Sequence, residues 1–120
     1  MSKKILVVDD EEGLRKILTK ILAWESYQVL TANNGDEAIE KIKKQTVDLL
    51  ITDIRMPVKD GSELLKVVST FNPILKVIIL TGYPLSPYLE EKVTAGTYVY
   101  IAKPFDNLEL LSKVNQIIAS

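Results

Sequence analysis

The chain has 120 residues, enough for one domain with a core that needs no disulfide or metal staple. Its 15 basic and 16 acidic residues leave a net charge of −1, which offers no field for nucleic acid, and 47% of the chain is hydrophobic, as in an ordinary globular protein. With neither cysteine nor histidine it has no disulfide, no thiolate nucleophile and no imidazole base, so any metal it binds must accept oxygen ligands. The amino terminus MSKKILVVDDEE turns acidic too soon for a signal peptide, and no apolar run approaches a membrane span. The expectation is a cytoplasmic protein without membrane contact.

Lys4 to Val8 (KILVV) reads as a strand apolar on both faces, and it ends in Asp9, Asp10, Glu11 and Glu12. A helix follows with Leu14, Ile17, Leu18, Ile21 and Leu22 on its buried face. The positive end of that helix accounts for Glu11 and Glu12, but not for two aspartates set on the strand end. Tyr27 to Thr31 is a less hydrophobic strand, suited to an edge. Asn34-Gly35 turns the chain into a helix over Asp36 to Gln45 that points Ala38, Ile39 and Ile42 inward. The next strand, Val47 to Thr52, runs straight into Asp53, a carboxylate that is costly to bury unless paired. Pro57 and Asp60-Gly61 then turn the chain away. A third helix, Ser62 to Phe71, buries Leu64, Leu65, Val68 and Phe71 and ends at Asn72-Pro73.

Lys76 to Leu80 (KVIIL) is another buried strand, and it delivers Thr81 and Gly82. Pro84 and Pro87 bracket a loop into a short helix, roughly Tyr88 to Ala95, marked only by Leu89 and Val93 and closed by Gly96. Tyr98 to Ala102 (YVYIA) is the fifth strand, followed by Lys103-Pro104-Phe105. The last helix, Asn107 to Ala119, is expected to bury Leu108, Leu111, Val114, Ile117 and Ile118.

Five strands alternating with five helices predict an α/β fold, a doubly wound five-stranded parallel sheet, in a single domain over residues 1–120. In such sheets ligands bind outside the carboxyl ends of the strands. Asp9, Asp10, Asp53, Thr81 and Lys103 all fall there. Taken alone, Asp53 and Thr81 also read as helix or loop caps, and Lys103 as a solvated lysine. Three acids packed together raise one another's pKa values and destabilise the fold unless a cation neutralises them. With oxygen ligands only, that ion is Mg2+ (or Mn2+), which takes one or two carboxylates plus waters and a phosphate. Thr81 and Lys103 then donate to anionic oxygens, and the set fits phosphoryl transfer to Asp53.

The motifs VVDDE, DIRMPVKDG, TGY and YIAKPF occur in that order at the ends of strands one, three, four and five. On these the chain resembles, end to end, a response-regulator receiver domain of two-component signalling. Its DIRMP and TGYP segments are similar to receivers of nitrogen-regulator-type transcription factors. The resemblance implies a flavodoxin-like sheet of order 2-1-3-4-5, as in chemotaxis receivers. It implies that Asp53 is the phosphoacceptor, taking its group from a phosphohistidine on a sensor histidine kinase or His-containing phosphotransfer protein. Asp10, Asp53 and the backbone carbonyl of Arg55 would ligate Mg2+, with Asp9 acting through water. Thr81 and Lys103 would bind phosphoryl oxygens, Tyr100 would move inward with Thr81, and the Lys103-Pro104 bond would be cis.

By the same resemblance, the face of helix 4, strand 5 and helix 5 would change partners to control an output. The exposed part of Tyr98-Val99-Tyr100 would add apolar area there, suited to a homodimer on phosphorylation. Arg55 and Tyr83, two past Asp53 and Thr81, are both large and would shield the in-line path of a hydrolytic water, slowing dephosphorylation. Val99 stands where many receivers carry a polar residue, and Thr97 replaces a common alanine. Such a chain is no turnover enzyme; it catalyses only its own phosphorylation and dephosphorylation. The competing readings are an aspartyl-phosphate phosphohydrolase and a phosphorylation-independent receiver-like binding module. The first wants Asp-x-Asp on its first strand, where this chain has Asp-Asp-Glu-Glu. A stand-alone receiver and the front of a longer regulator both remain open.

Overall fold

Parallel strands that are apolar on both faces need helices over both, and the chain supplies them in alternation. The computed structural model describes residues 2–56 and 58–120. Its elements run β1 (Lys4–Val8), α1 (Glu12–Trp24), β2 (Gln28–Ala32), α2 (Gly35–Lys44), β3 (Leu49–Thr52) and α3 (Gly61–Phe71), then β4 (Lys76–Thr81), α4 (Pro87–Thr94), β5 (Val99–Ala102) and α5 (Asn107–Ala119). Every strand pairing is parallel and the order is β2-β1-β3-β4-β5, the doubly wound sheet anticipated from the sequence. The turn expected at Pro57 lies outside the described residues.

Alternation along each strand divides the core in two. Leu6, Val8, Leu50 and Ile79 face one layer, packed on Ala38, Ile42, Leu64, Leu65, Val68 and Leu89 of α2, α3 and α4. Ile5, Val7, Leu49, Ile51, Ile78 and Leu80 face the other, packed on Leu18, Leu22, Leu110 and Val114 of α1 and α5. Polar side chains start several helices by accepting backbone N–H groups that lack a helical partner. Asn34 caps α2, Asp60 caps α3, Ser86 caps α4 and Asp106 caps α5.

Register then sets the position of the polar edge. Val8 lies opposite Thr52, and Thr81 opposite Ala102, so β1 ends level with β3 and β4 with β5, while β4 runs two residues beyond β3, whose Thr52 lies opposite Ile79. The residues that follow continue the ladder. The Asp53 N–H donates to the Val8 carbonyl at 3.1 Å, and the Lys103 N–H donates to the Thr81 carbonyl at 2.9 Å. Asp9 and Asp53 therefore leave adjacent strands side by side.

Several expectations at the ends of elements need correction. β2 starts one residue later than expected, and Tyr27 instead points its hydroxyl to the Asn115 side chain of α5. Ile17 sits at the rim of the α1 stripe and is half exposed, because Leu14, Leu18, Ile21 and Leu22 already fill the turn-by-turn contact with the sheet. Phe71 faces outward in the last turn of α3, with the Lys43 ammonium 5.3 Å from its ring centre. Tyr98 lies before β5 and is buried in the α2–α4 core, so it adds no apolar area to the surface.

The phase of α5 is the clearest difference. Leu108 is 78% exposed, and Leu110, which the periodic reading passed over, is fully buried. Leu110, Leu111, Val114, Ile117 and Ile118 share one arc of a 3.6-residue helix, whereas Leu108 falls well off it. Leu110→Ala is expected to lower unfolding free energy by about 3 kcal/mol. Leu108→Ala should change it by less than about 0.5 kcal/mol. Paired urea denaturation curves check this, and equal losses would contradict the helix phase.

Candidate functional site

The carboxyl edge of the sheet gathers charge in a small space. Asp9 and Asp53 are buried there, Asp10 is exposed beside them, and Thr81 is fully buried on β4. Carboxylate oxygens of Asp9, Asp10 and Asp53 all lie within 4.8 Å of one another. Lys103, brought over from the end of β5, bridges two of these acids. Its ammonium donates to Asp53 Oδ2 at 2.7 Å and to Asp9 Oδ2 at 2.8 Å, with Glu11 farther off at 3.9 Å. The Lys103–Pro104 peptide bond is cis.

The remaining oxygens are bonded to the backbone. Asp9 Oδ1 accepts the Glu11 N–H at 2.9 Å, and Asp53 Oδ1 accepts the Ile54 N–H at 2.6 Å. Thr81 Oγ1 accepts the Tyr83 N–H at 3.2 Å, which leaves its hydroxyl proton free to serve another acceptor. Two contacts escaped the sequence reading. The Arg15 guanidinium, a turn into α1, donates to the Asp9 carbonyl, and the Thr52 hydroxyl donates to the Asp53 carbonyl at 2.8 Å. Neither has a signature in spacing, since the first depends on how the β1–α1 loop folds back and the second on the orientation of the Thr52 side chain.

Burial is the first cause of the altered Asp9 carboxyl. It pushes Asp9 above the ordinary carboxylate range, against hydrogen bonds from Lys103 and the Glu11 N–H, while the neighbouring Asp53 charge adds least. The mutual repulsion expected of packed acids is present at Asp9 but smaller than desolvation. For Lys103, burial is the largest single effect and pulls the ammonium down. The hydrogen bonds and charges of Asp53 and Asp9 together outweigh it and hold Lys103 above the usual lysine value.

Beside the acids lies an open cleft of about 660 Å³ lined by Asp10, Ile54, Arg55, Met56, Asp60 and Tyr83. The Arg55 guanidinium carbon sits 4.5 Å from the centre of the Tyr83 ring, a cation–π stack on the rim. Tyr100 faces outward on β5, over a third exposed. An all-oxygen, anionic donor set open to solvent at Asp10 suits a hard cation that keeps some of its waters, as Mg2+ does. No helix among the described residues is long and apolar enough to cross a membrane.

A sheet of this order, with acids, a hydroxyl and a lysine collected at its carboxyl edge, defines a receiver-type signalling module. The response regulator receiver domain model matches residues 5–115, and the chain belongs to that family, the receiver domains of two-component systems. It is 35% identical over 118 residues to the sporulation initiation phosphotransferase F of Bacillus subtilis (strain 168), covering 98% of this chain and 95% of that one. To the transcriptional regulatory protein ZraR of Klebsiella oxytoca it is 43% identical over 108 residues, covering 88% of this chain but only 24% of that protein. Among solved structures it resembles the response regulator TrrA of Thermotoga maritima in complex with Mg2+-BeF. That match has a TM-score of 0.82 at 35% identity, over 96% of this chain and 98% of that one.

The Asp9 shift has a sign that can be measured. A carboxyl whose folded pKa is raised keeps its proton longer in the native state, so stability is lost as pH climbs from the unfolded value through the folded one. In metal-free buffer, Asp9→Asn should therefore gain in melting temperature relative to the parent as pH rises from about 4 toward neutrality. A difference that stays flat, or falls, across that range would show that burial does not strain Asp9.

Proposed function

We propose that the chain is a phosphoacceptor switch, residues 1–120 acting as one cytoplasmic unit that takes a phosphoryl group on Asp53. The donor would be the phosphohistidine of a sensor histidine kinase or a His-containing phosphotransfer protein, since the chain has no histidine of its own. The observation that carries this reading is Lys103 bridging buried Asp9 and Asp53, with Thr81 and Asp10 alongside. A carboxylate held among hydrogen-bond donors at a strand end suits nucleophilic attack with positioned charge stabilisation.

An Asp53 carboxylate oxygen attacks the phosphorus in line with the departing ring nitrogen. The new P–O bond forms as the P–N bond breaks, and the imidazole leaves with that electron pair. Lys103 then exchanges its bond to Asp53 for one to a phosphoryl oxygen, and the Thr81 hydroxyl donates to another. Asp10, Asp53 and the Arg55 carbonyl would hold Mg2+, with Asp9 acting through water; the ion, when bound, neutralises charge growing on the phosphoryl oxygens. Drawing Thr81 toward the phosphoryl group loosens its bond with the Tyr83 N–H and makes room for Tyr100, which now points outward, to turn in. The α4–β5–α5 face changes as a result. Its helix α4 spans only Pro87–Thr94 and buries Leu89 alone, which makes it an element of low local stability.

Acetyl phosphate with Mg2+ should label the parent at one phosphoryl group per chain, and Asp53→Asn should remove the label, because an amide is not a nucleophile. Asp10→Ala should lose most of the rise in melting temperature that Mg2+ gives the parent. Full labelling of Asp53→Asn would move the phosphoacceptor elsewhere.

The stacked Arg55 and Tyr83 favour a long-lived phosphoryl group. Both stand on the rim of the cleft, where a hydrolytic water would approach the phosphorus opposite Asp53. The double variant Arg55→Asn/Tyr83→Ala should release phosphate faster than the parent. Release at the parent rate would rule out shielding by this pair.

A further inference from the structure

The β3–α3 loop, which carries Arg55, is pinned by two contacts that leave no room for a side chain. The Gly61 N–H donates to the Ile54 carbonyl at 2.7 Å. A Cβ on Gly61 would stand 2.1 Å from the Asp53 carbonyl oxygen and 2.8 Å from Ile54 Cα. Those are backbone atoms, which cannot swing aside as a side-chain tip can. Farther along, the Gly35 N–H donates to the Lys59 carbonyl at 3.2 Å, and a Cβ there would lie 2.7 Å from that oxygen. Val58, between these anchors, has a φ of 70°, a left-handed conformation that a β-branched residue keeps only under outside constraint. The loop takes a shape imposed on it.

Helix formation does not account for Gly61. Asp60 already caps α3 through the Glu63 N–H, and Gly61 is not left-handed. At the first position of a helix, alanine is the better residue by intrinsic preference. What the glycine permits is the close approach. The Asp53 carbonyl is wedged between the Thr52 hydroxyl, 2.8 Å away, and the bare α-carbon of Gly61. Ile54 and Arg55 carry successive carbonyls, so holding the first limits the direction of the second.

We propose that Gly61 is a positioning residue for the cation, setting the main chain from Asp53 to Arg55 that presents a carboxylate and a carbonyl to it. The proposal rests on the Mg2+ reading above and adds a residue that touches neither the ion nor the phosphoryl group. Mg2+ demands near-octahedral geometry, so a methyl at 61, which must move from 2.1 Å to at least 3.0 Å from the Asp53 carbonyl oxygen, displaces this peptide far enough to misplace its ligands.

The test is Mg2+ titration of the parent, Gly61→Ala, Val68→Ala and Thr52→Val, followed by calorimetry or amide chemical shifts, with metal-free melting temperatures of each. Gly61→Ala should weaken Mg2+ binding by about tenfold or more, the usual effect of disturbing what orients a metal ligand. Val68 is buried two turns along the same helix, so Val68→Ala lowers stability while leaving the loop alone and should bind Mg2+ as the parent does. Thr52→Val, isosteric and fully buried, releases the Asp53 carbonyl from its other side and should show a smaller loss in the same direction. Parental affinity in Gly61→Ala overturns the proposal. So does parental affinity in Thr52→Val should Gly61→Ala fail to fold, and so does an equal loss in Val68→Ala. A parent that binds no Mg2+ at all instead removes the reading beneath it, and the proposal with it.

Discussion

The bridge from one ammonium to two buried carboxylates is the constraint on which the rest of this molecule turns. Asp9 and Asp53 leave neighbouring strands at the same level, and both are almost wholly removed from solvent. Two such charges would be ruinous in an apolar core without a partner. Lys103 provides one, and it is delivered by β5, two positions from β3 and three from β1 in the sheet. The strand order thus has an electrostatic consequence. It places the end of β5 close enough to answer acids that β1 and β3 put forward.

How much of this was legible in the sequence depends on the range of the interaction. Element identity came through, because four of the five strands are apolar runs of four to six residues and the less hydrophobic β2 reads as an edge. The acids, Thr81 and Lys103 came through for a related reason. Each follows directly on an apolar strand, and the topology gathers strand ends automatically. Helix phase was less secure. Leu108 and Leu110 are equally apolar, and the 3.6-residue period that puts Leu110 with Val114 and Ile117 is missed when the reading begins one residue into the helix, with Leu108. The contacts of Arg15, Thr52 and Gly61 were not legible at all: Arg15 and Gly61 reach back across loops, and the Thr52 hydroxyl, though it bonds the next residue's carbonyl, does so through a side-chain orientation that sequence does not report.

Tyr98 shows the same limit from another side. The exposed part of Tyr98-Val99-Tyr100 was expected to add apolar surface, with none of the three singled out. The strand starts at Val99, and Tyr98 drops into the core beneath α4 instead. The surface there rests on Tyr100 and half-buried Val99, next to the helix with the thinnest buried face. A boundary error of one residue thus changes which side chains a partner would meet.

The hydrogen bonds of the pocket also set what any ligand must displace. Burial costs Asp9 more than its neighbours' charge does, yet no buried side-chain oxygen or nitrogen among the described residues lacks a partner. Lys103 already makes two charge-assisted hydrogen bonds, so any anion that takes it must replace them. Likewise a cation entering among the acids finds two of three carboxylates engaged. Ligands here exchange partners more than they create them, and the net free energy of each exchange is a small difference between large terms. Small differences are what a reversible signal requires, since a state that is too favourable cannot be undone. The same lysine that makes two buried carboxylates tolerable is therefore the group that any entering anion must compete for.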